Sequence, residues 1–123
     1  MNNETSHILS PTEIVESNIK LEVNRSNMPL LKMVLLGILA GIFISCGAQA
    51  SNVAMHALPN VSTARIVAGC VFAIGLMLVV FIGAELFTGD CLLIMGVLDK
   101  KVKTLTMIRI LIVVFISNLI GAL

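Results

Sequence analysis

Several residue types are missing or scarce in this chain of 123 residues, and each absence excludes something. Tryptophan and tyrosine are both absent, so the aromatic belt that often marks a membrane interface is missing. Charged residues make up only 12% of the chain and hydrophobic residues 58%, which excludes an ordinary soluble domain. The formal net charge of +1 gives no strong positive field, so no nucleic-acid partner is expected.

Motifs that carry chemistry are scarce as well. No Gly-rich phosphate-binding motif with its lysine occurs, which argues against a nucleotide-driven pump. Without a neighbouring cysteine, histidine or carboxylate, His56 is interpreted as an ordinary surface residue. The three cysteines lie far apart in apolar sequence and are interpreted as reduced packing residues: Cys46, Cys70 and Cys91. We therefore predict no catalytic residue, no metal site and no cofactor, and no enzyme activity.

Residues 1–29 form a polar N-terminal segment without the basic start and apolar core of a secretory signal. We expect residues 1–9 to be disordered. Ser10, Pro11 and Glu13 have the spacing of a helix start with a capping box. Apolar residues then recur every four positions among charged ones, which predicts an amphipathic helix of about 15 residues. This helix lies along the membrane surface, against partner subunits, or on its own protein.

Residues 30–123 are predicted to form a transmembrane channel domain. A first membrane helix is expected over residues 30–50, followed by an interfacial loop over residues 51–63. Gly37 and Gly41 form a G-x-x-x-G pair, which favours close approach of another helix in lipid. The last charge-free stretch, residues 110–123, is shorter than the roughly 20 residues that a full span needs. We therefore expect this sequence to be part of a longer protein.

The central feature of the sequence is an apolar run over residues 66–98. Its 33 residues are too many for one straight crossing of about 20 residues and too few for two. The run contains the carboxylates Glu85 and Asp90, and a lone charge in lipid costs about 2.5–3.5 kcal/mol. Gly83 and Gly89 lie beside them. We predict one crossing whose helix is broken between arms 66–84 and 91–98, a feature typical of transport sites.

The basic residues predict how the chain is oriented. Seven of the eight lysines and arginines lie before the first membrane helix or between the second and third, and only Arg65 lies at the intervening connection. The positive-inside rule then places the N-terminus in the cytoplasm of a multi-pass protein of the plasma membrane. Three crossings, one of them broken, are what half of an inverted repeat looks like.

With these motifs in view, the chain resembles the formate/nitrite transporter family. The resemblance covers nearly the whole chain but only the first half of a family member. It rests on four motifs: Glu85-Leu86-Phe87-Thr88-Gly89-Asp90, Ser10-Pro11-x-Glu13, Gly69-x-x-Phe72-x-x-Gly75-Leu76 and Asn118-x-x-Gly121. At one position the chain departs from the family, because Asp90 stands where many members have an asparagine.

The resemblance implies an all-α membrane protein, namely the first half of an inverted-repeat six-helix channel whose second helix is broken by a loop. It also implies a homopentamer that transports small monovalent anions such as formate, nitrite or hydrosulfide, alone or together with a proton. Phe72 and Leu76 match an outer apolar constriction of the family, and Leu86 and Phe87 an inner one. Thr88 matches a threonine that faces a central histidine, which belongs to the second half.

Physical reasoning leaves alternatives open beside this resemblance. Phe72 and Leu76 share a helix face, so they either form an apolar gate or simply pack in a bundle. We expect Glu85, with Gly89 and Asp90, to support the loop, with the Glu85 carboxylate accepting backbone N–H groups. The second arm is expected to start near Asp90 and to offer free N–H groups to an anion. Two other functions remain: a non-transporting membrane scaffold or assembly subunit, and an aquaporin-like channel for neutral solutes.

Overall fold

A computed structural model describes residues 10–123, so the expected disorder of residues 1–9 lies outside the described part of the chain. The described residues form helices joined by short connections, which confirms the predicted all-α membrane protein. The helices are α1 (Pro11–Ser26), α2 (Leu30–Met55), α3 (Val61–Ile82), α4 (Phe87–Asp90), α5 (Leu93–Leu98) and α6 (Thr104–Ala122). By length and composition, α2, α3 and α6 are each able to cross a membrane.

The N-terminal helix α1 begins as its sequence predicts. The Ser10 hydroxyl accepts a hydrogen bond from the Glu13 N–H at 3.4 Å, and the Glu13 carboxylate accepts one from the Ser10 N–H at 2.7 Å. The resulting capping box starts a helix of 16 residues. Ile19 on this helix is buried, and α1 packs against α5 and α6. Helix α1 therefore packs on its own protein, while its contact with a membrane surface or with partner subunits stays a prediction.

The connection between α2 and α3 is shorter than predicted. The first membrane helix continues to Met55 instead of ending near residue 50, and α3 already begins at Val61. Asn60 caps α3, because its side-chain oxygen accepts the N–H groups of the second and third helical residues at 2.9 and 3.3 Å. The Ser51 hydroxyl donates to the Ala68 carbonyl of α3 at 2.9 Å. The polar residues that suggested a longer loop therefore either form these hydrogen bonds or lie exposed at the helix ends.

The last segment is long enough to cross a membrane, so the prediction that it is too short was wrong. Helix α6 has 19 residues and includes Arg109, which the sequence analysis treated as a boundary. Arg109 is exposed and lies near the start of the helix. A long arginine side chain at such a position can extend toward the membrane interface while its backbone remains helical.

The predicted helix break is present after α3. Gly83 adopts a left-handed conformation with φ 70° and ψ 36°, and its N–H bonds to the carbonyls of the preceding turn. Such a conformation favours glycine, which explains why the helix stops there. The second arm begins at Phe87, earlier than the predicted start at residue 91, and it consists of the two short helices α4 and α5.

Glycines allow α2 to approach both of its long neighbours closely, and the approach to α6 is the one that the G-x-x-x-G pair predicted. A Cβ atom added at Gly41 would overlap the backbone carbonyl of Asn118 in α6. On the other side, Gly47 of α2 faces Gly75 of α3, and a Cβ atom at Gly75 would lie 2.8 Å from the Phe43 carbonyl oxygen. Backbone-to-backbone contact of this kind gives helices in lipid their van der Waals attraction.

The cysteines are reduced, as predicted, but their interpretation as packing residues was wrong. In the described part of the chain they are free thiols on exposed surface: Cys46, Cys70 and Cys91. Their apolar neighbours in sequence do not imply burial, because lipid tails are as apolar as leucine and the outer faces of membrane helices are therefore apolar too.

The glycine contacts lead to a stability prediction. Gly41→Ala places a methyl group against the backbone of α6, where no flexible side chain can give way. Overpacking of this kind costs about 1–3 kcal/mol, so the melting temperature of the complete protein in detergent should fall. Gly69→Ala is the matched control, because nothing lies within 4 Å of a Cβ atom at that position. Equal melting temperatures for the two variants would contradict this packing.

Candidate functional site

All five residues predicted to line a pathway lie around one open groove. The groove has a volume of about 530 Å³ and lies between α2, α3, the helix break and α6. Its predicted lining residues are Phe72 and Leu76 from α3, Leu86 from the break, and Phe87 and Thr88 from α4. Six further residues complete the lining: Gly41, Ile44, Phe115, Asn118, Leu119 and Ala122. Thr88 and Asn118 carry the polar side chains of this set, so the groove is mainly apolar.

The side chain of Asn118 holds the helix break in place. Its Nδ2 donates to the Glu85 carbonyl at 2.9 Å and to the Gly37 carbonyl of α2 at 2.8 Å. Its Oδ1 accepts the Phe87 N–H at 2.9 Å. Buried backbone polar groups need such partners, and here one amide from α6 supplies them within the break and at the start of α4. The shape of the break is therefore set by α6 and α2 rather than by the loop alone.

Sequence reasoning noted Asn118 only as part of a family motif and missed this role. A signal was present, because Asn118 is the one side-chain amide in the apolar stretch 110–123. Polar residues inside membrane helices usually face other protein and bond across helices. The sequence does not say which backbone groups such an amide reaches, since they lie far away along the chain.

The N–H groups expected to be free at the start of the second arm are already paired. Gly89 and Asp90 donate to the Leu86 carbonyl at 2.8 and 3.1 Å, and Cys91 donates to the Phe87 carbonyl at 3.2 Å. Since the arm begins at Phe87, Asp90 lies at the end of a helical turn and not at its start. The prediction that this helix start offers free donors to an anion was therefore wrong.

Beside the break, Arg25 of α1 contacts three buried carboxylates. Its Nη1 lies 3.0 Å from Glu22 Oε1 and 3.6 Å from Asp90 Oδ1, and its Nε lies 3.5 Å from Glu85 Oε2. The three acidic residues are 2%, 1% and 5% exposed, respectively. Burial raises the pKa of Glu22 above its ordinary value, while the positive charge of Arg25 opposes that shift. This cluster joins α1 to the break at Glu85 and to the end of α4 at Asp90.

Glu85 supports the break in a different way from the one predicted. Within residues 10–123 its carboxylate accepts no loop N–H group and instead pairs with Arg25. The N–H groups of Phe87, Gly89 and Asp90 bond instead to Asn118 or to the Leu86 carbonyl, and the Glu85 carboxylate is attracted to the Arg25 guanidinium. Both carboxylate oxygens of Asp90 lack a hydrogen-bond partner within the same residues. Gly89 approaches Arg25 only at ordinary contact distance, 3.9 Å from an added Cβ atom.

Comparisons with known proteins match the sequence of this chain to a family. Residues 12–123 match the formate/nitrite transporter family. A probable formate transporter of Methanothermobacter thermautotrophicus is 33% identical, covering 95% of this chain and 44% of that protein. A formate channel of Bacillus thuringiensis is 34% identical, over 92% and 45%. A formate-nitrite transporter of Plasmodium falciparum is 30% identical, over 98% and 45%. The chain therefore spans less than half the length of these relatives.

The role of Asn118 is testable by stability. Asn118→Leu keeps a similar volume but leaves the carbonyls of Gly37 and Glu85 and the N–H of Phe87 without this partner. Each unpaired buried group costs about 1–3 kcal/mol, so thermal unfolding of the complete protein should begin at clearly lower temperature. Asn52→Leu, at the exposed end of α2, is the control and should unfold like the wild type. If Asn118→Leu unfolds no earlier than this control, the amide does not hold the break.

Proposed function

The chain belongs to the formate/nitrite transporter family, and on that basis we propose that it forms part of a membrane pathway for small monovalent anions such as formate, nitrite or hydrosulfide. One observation carries the proposal: Phe72, Leu76, Leu86, Phe87 and Thr88 line a single groove beside the helix break. The relatives are transporters and channels by name, not enzymes. Their names favour transport over a non-transporting scaffold or a neutral-solute channel.

The apolar lining determines the form in which an anion crosses. Moving a charge from water into apolar surroundings is costly unless a partner meets it. Both N–H donors of the Asn118 amide are used by backbone carbonyls, so the Thr88 hydroxyl is the remaining polar side-chain group of the lining. We therefore propose that the anion crosses together with a proton, or that a proton donor near Thr88 neutralises it on the way.

Two apolar constrictions flank Thr88 in this proposal. Phe72 and Leu76 form the outer one from α3, and Leu86 and Phe87 form the inner one at the break. Phe72 is 42% exposed and Leu76 is 49% exposed, so both large side chains face open space at the groove. Apolar constrictions of this kind gate by excluding water and by limiting size.

The proposed setting is the plasma membrane, with a cytoplasmic N-terminus and a homopentamer. The basic residues support the orientation through the positive-inside rule. Apolar side chains on the outer face of α3 support contact with lipid or with other copies, since Val80 is 70% exposed and Phe81 is 85% exposed. The number of copies rests on the family resemblance.

Uptake measurements test the proposal. The complete protein is reconstituted into liposomes, and the initial uptake of formate, nitrite and hydrosulfide is measured at several external pH values. We expect saturable uptake above that of protein-free liposomes, rising as the external pH falls, because a lower pH supplies more of the protonated species. Uptake equal to that of protein-free liposomes for all three anions would contradict the proposal.

Thr88 gives the sharpest test of a single side chain. Thr88→Val keeps the shape of the residue and removes its hydroxyl. Losing a hydrogen bond costs about 0.5–1.5 kcal/mol, so formate uptake should fall by roughly two- to tenfold. Thr88→Ser retains the hydroxyl and should keep most of the uptake. Wild-type formate uptake by the Thr88→Val protein would show that Thr88 does not contribute to the pathway.

A further inference from the structure

We infer that Phe115 of α6 is a specificity-determining residue that sets the size selection of the groove by holding the ring of Phe87. The inference rests on the proposed transport through the groove, because size selection has meaning only if solutes pass there. Phe115 was not among the pathway residues predicted from the sequence. It enters the account through its contact with one of them.

The contact is an aromatic pair of favourable geometry. The ring centroids of Phe87 and Phe115 lie 5.5 Å apart, and the ring planes make an angle of 70°. Aromatic pairs prefer such an edge-to-face arrangement, in which the positive edge of one ring meets the negative face of the other. Both rings line the groove, so the pair lies at the proposed pathway itself.

Helix α6 holds Phe87 at two points. Asn118 accepts the Phe87 N–H at 2.9 Å, and this bond fixes the backbone of Phe87. The Phe87 side chain also packs partly against the buried core cluster that includes Leu93 and Val114, and the edge-to-face contact with Phe115 further restricts the orientation of its ring at the groove. Phe115 and Asn118 are three residues apart and therefore lie on the same face of α6. One helix face thus sets both the position and the ring orientation of Phe87.

The orientation of this ring affects what can pass beside Thr88. Thr88 follows Phe87 in α4, and both line the groove. A ring held against Phe115 leaves a passage of fixed width next to the hydroxyl. A ring released from Phe115 can turn away and widen that passage. Uptake of larger monocarboxylates should then rise relative to uptake of formate, while the Thr88 hydroxyl stays in place.

The test measures the ratio of lactate uptake to formate uptake in liposomes containing the complete protein. Phe115→Leu should raise this ratio several-fold while formate uptake continues. The matched control is Phe81→Leu, because Phe81 is 85% exposed on α3 and lies outside the groove lining. This control should keep the wild-type ratio. An unchanged ratio in a Phe115→Leu protein that still takes up formate would overturn the inference.

A double-mutant comparison tests whether Phe115 acts through Phe87. If it does, adding Phe115→Leu to a Phe87→Leu protein should not change the ratio further, because the ring that Phe115 holds is already gone. Additive effects of the two substitutions would show that Phe115 acts independently, and they would overturn the proposed mechanism.

A spectroscopic readout tests the ring pair without relying on transport. Phe87 is replaced by 4-fluorophenylalanine in the complete protein, and its fluorine resonance is recorded in lipid nanodiscs. Phe115→Leu should shift or sharpen the resonance as the ring becomes more mobile, whereas Phe81→Leu should leave it unchanged. An unaffected resonance in Phe115→Leu would overturn the inference. If the unsubstituted protein transports neither formate nor lactate, the proposed function fails while this resonance still decides whether Phe115 holds Phe87.

Discussion

The hydrogen bonds of the Asn118 amide are the interaction on which the rest of this structure depends. A helix that breaks at membrane depth exposes backbone N–H and C=O groups, and lipid offers them no partner. Asn118 bonds to Glu85 within the break and to Phe87 at the start of α4, and it also bonds to the Gly37 carbonyl of α2. The close approach of α2 and α6 at Gly41 brings the amide within reach. The small residues of α2 and the shape of the groove are therefore linked, because both depend on where the Asn118 amide lies.

Charge and apolar surface are separated around the break. Glu85 and Asp90 are buried beside Arg25 of α1, and the groove is lined by apolar side chains with the Thr88 hydroxyl among them. Carboxylates that faced the groove would repel an anion, and pairing with the Arg25 guanidinium offsets part of their charge. The N-terminal helix lies outside the spans, yet through Arg25 it contributes to the break.

Features encoded locally could be predicted from the sequence, and features that join distant segments could not. The break follows from the length of the run 66–98, and the α1 start follows from the spacing of Ser10 and Glu13. The grouping of Phe72 with Thr88 came from the family resemblance and not from periodicity. The bonds of Asn118 to Phe87 and Glu85 cross 31 and 33 residues of sequence. Nothing in the order of residues specifies partners so far away along the chain. The role of Asn118 was missed for this reason.

The central claim is that the groove beside the break is the path of the anion, and cysteine modification at Thr88 tests it most directly. The three native cysteines, which are exposed, are replaced by alanine, and Thr88→Cys is introduced into the complete protein. A charged methanethiosulfonate reagent is then added to liposomes that take up formate. We expect modification to abolish the formate uptake that the Thr88→Cys protein retains, and we expect formate to slow the modification. Complete modification with undiminished formate uptake would place the path elsewhere and contradict the account.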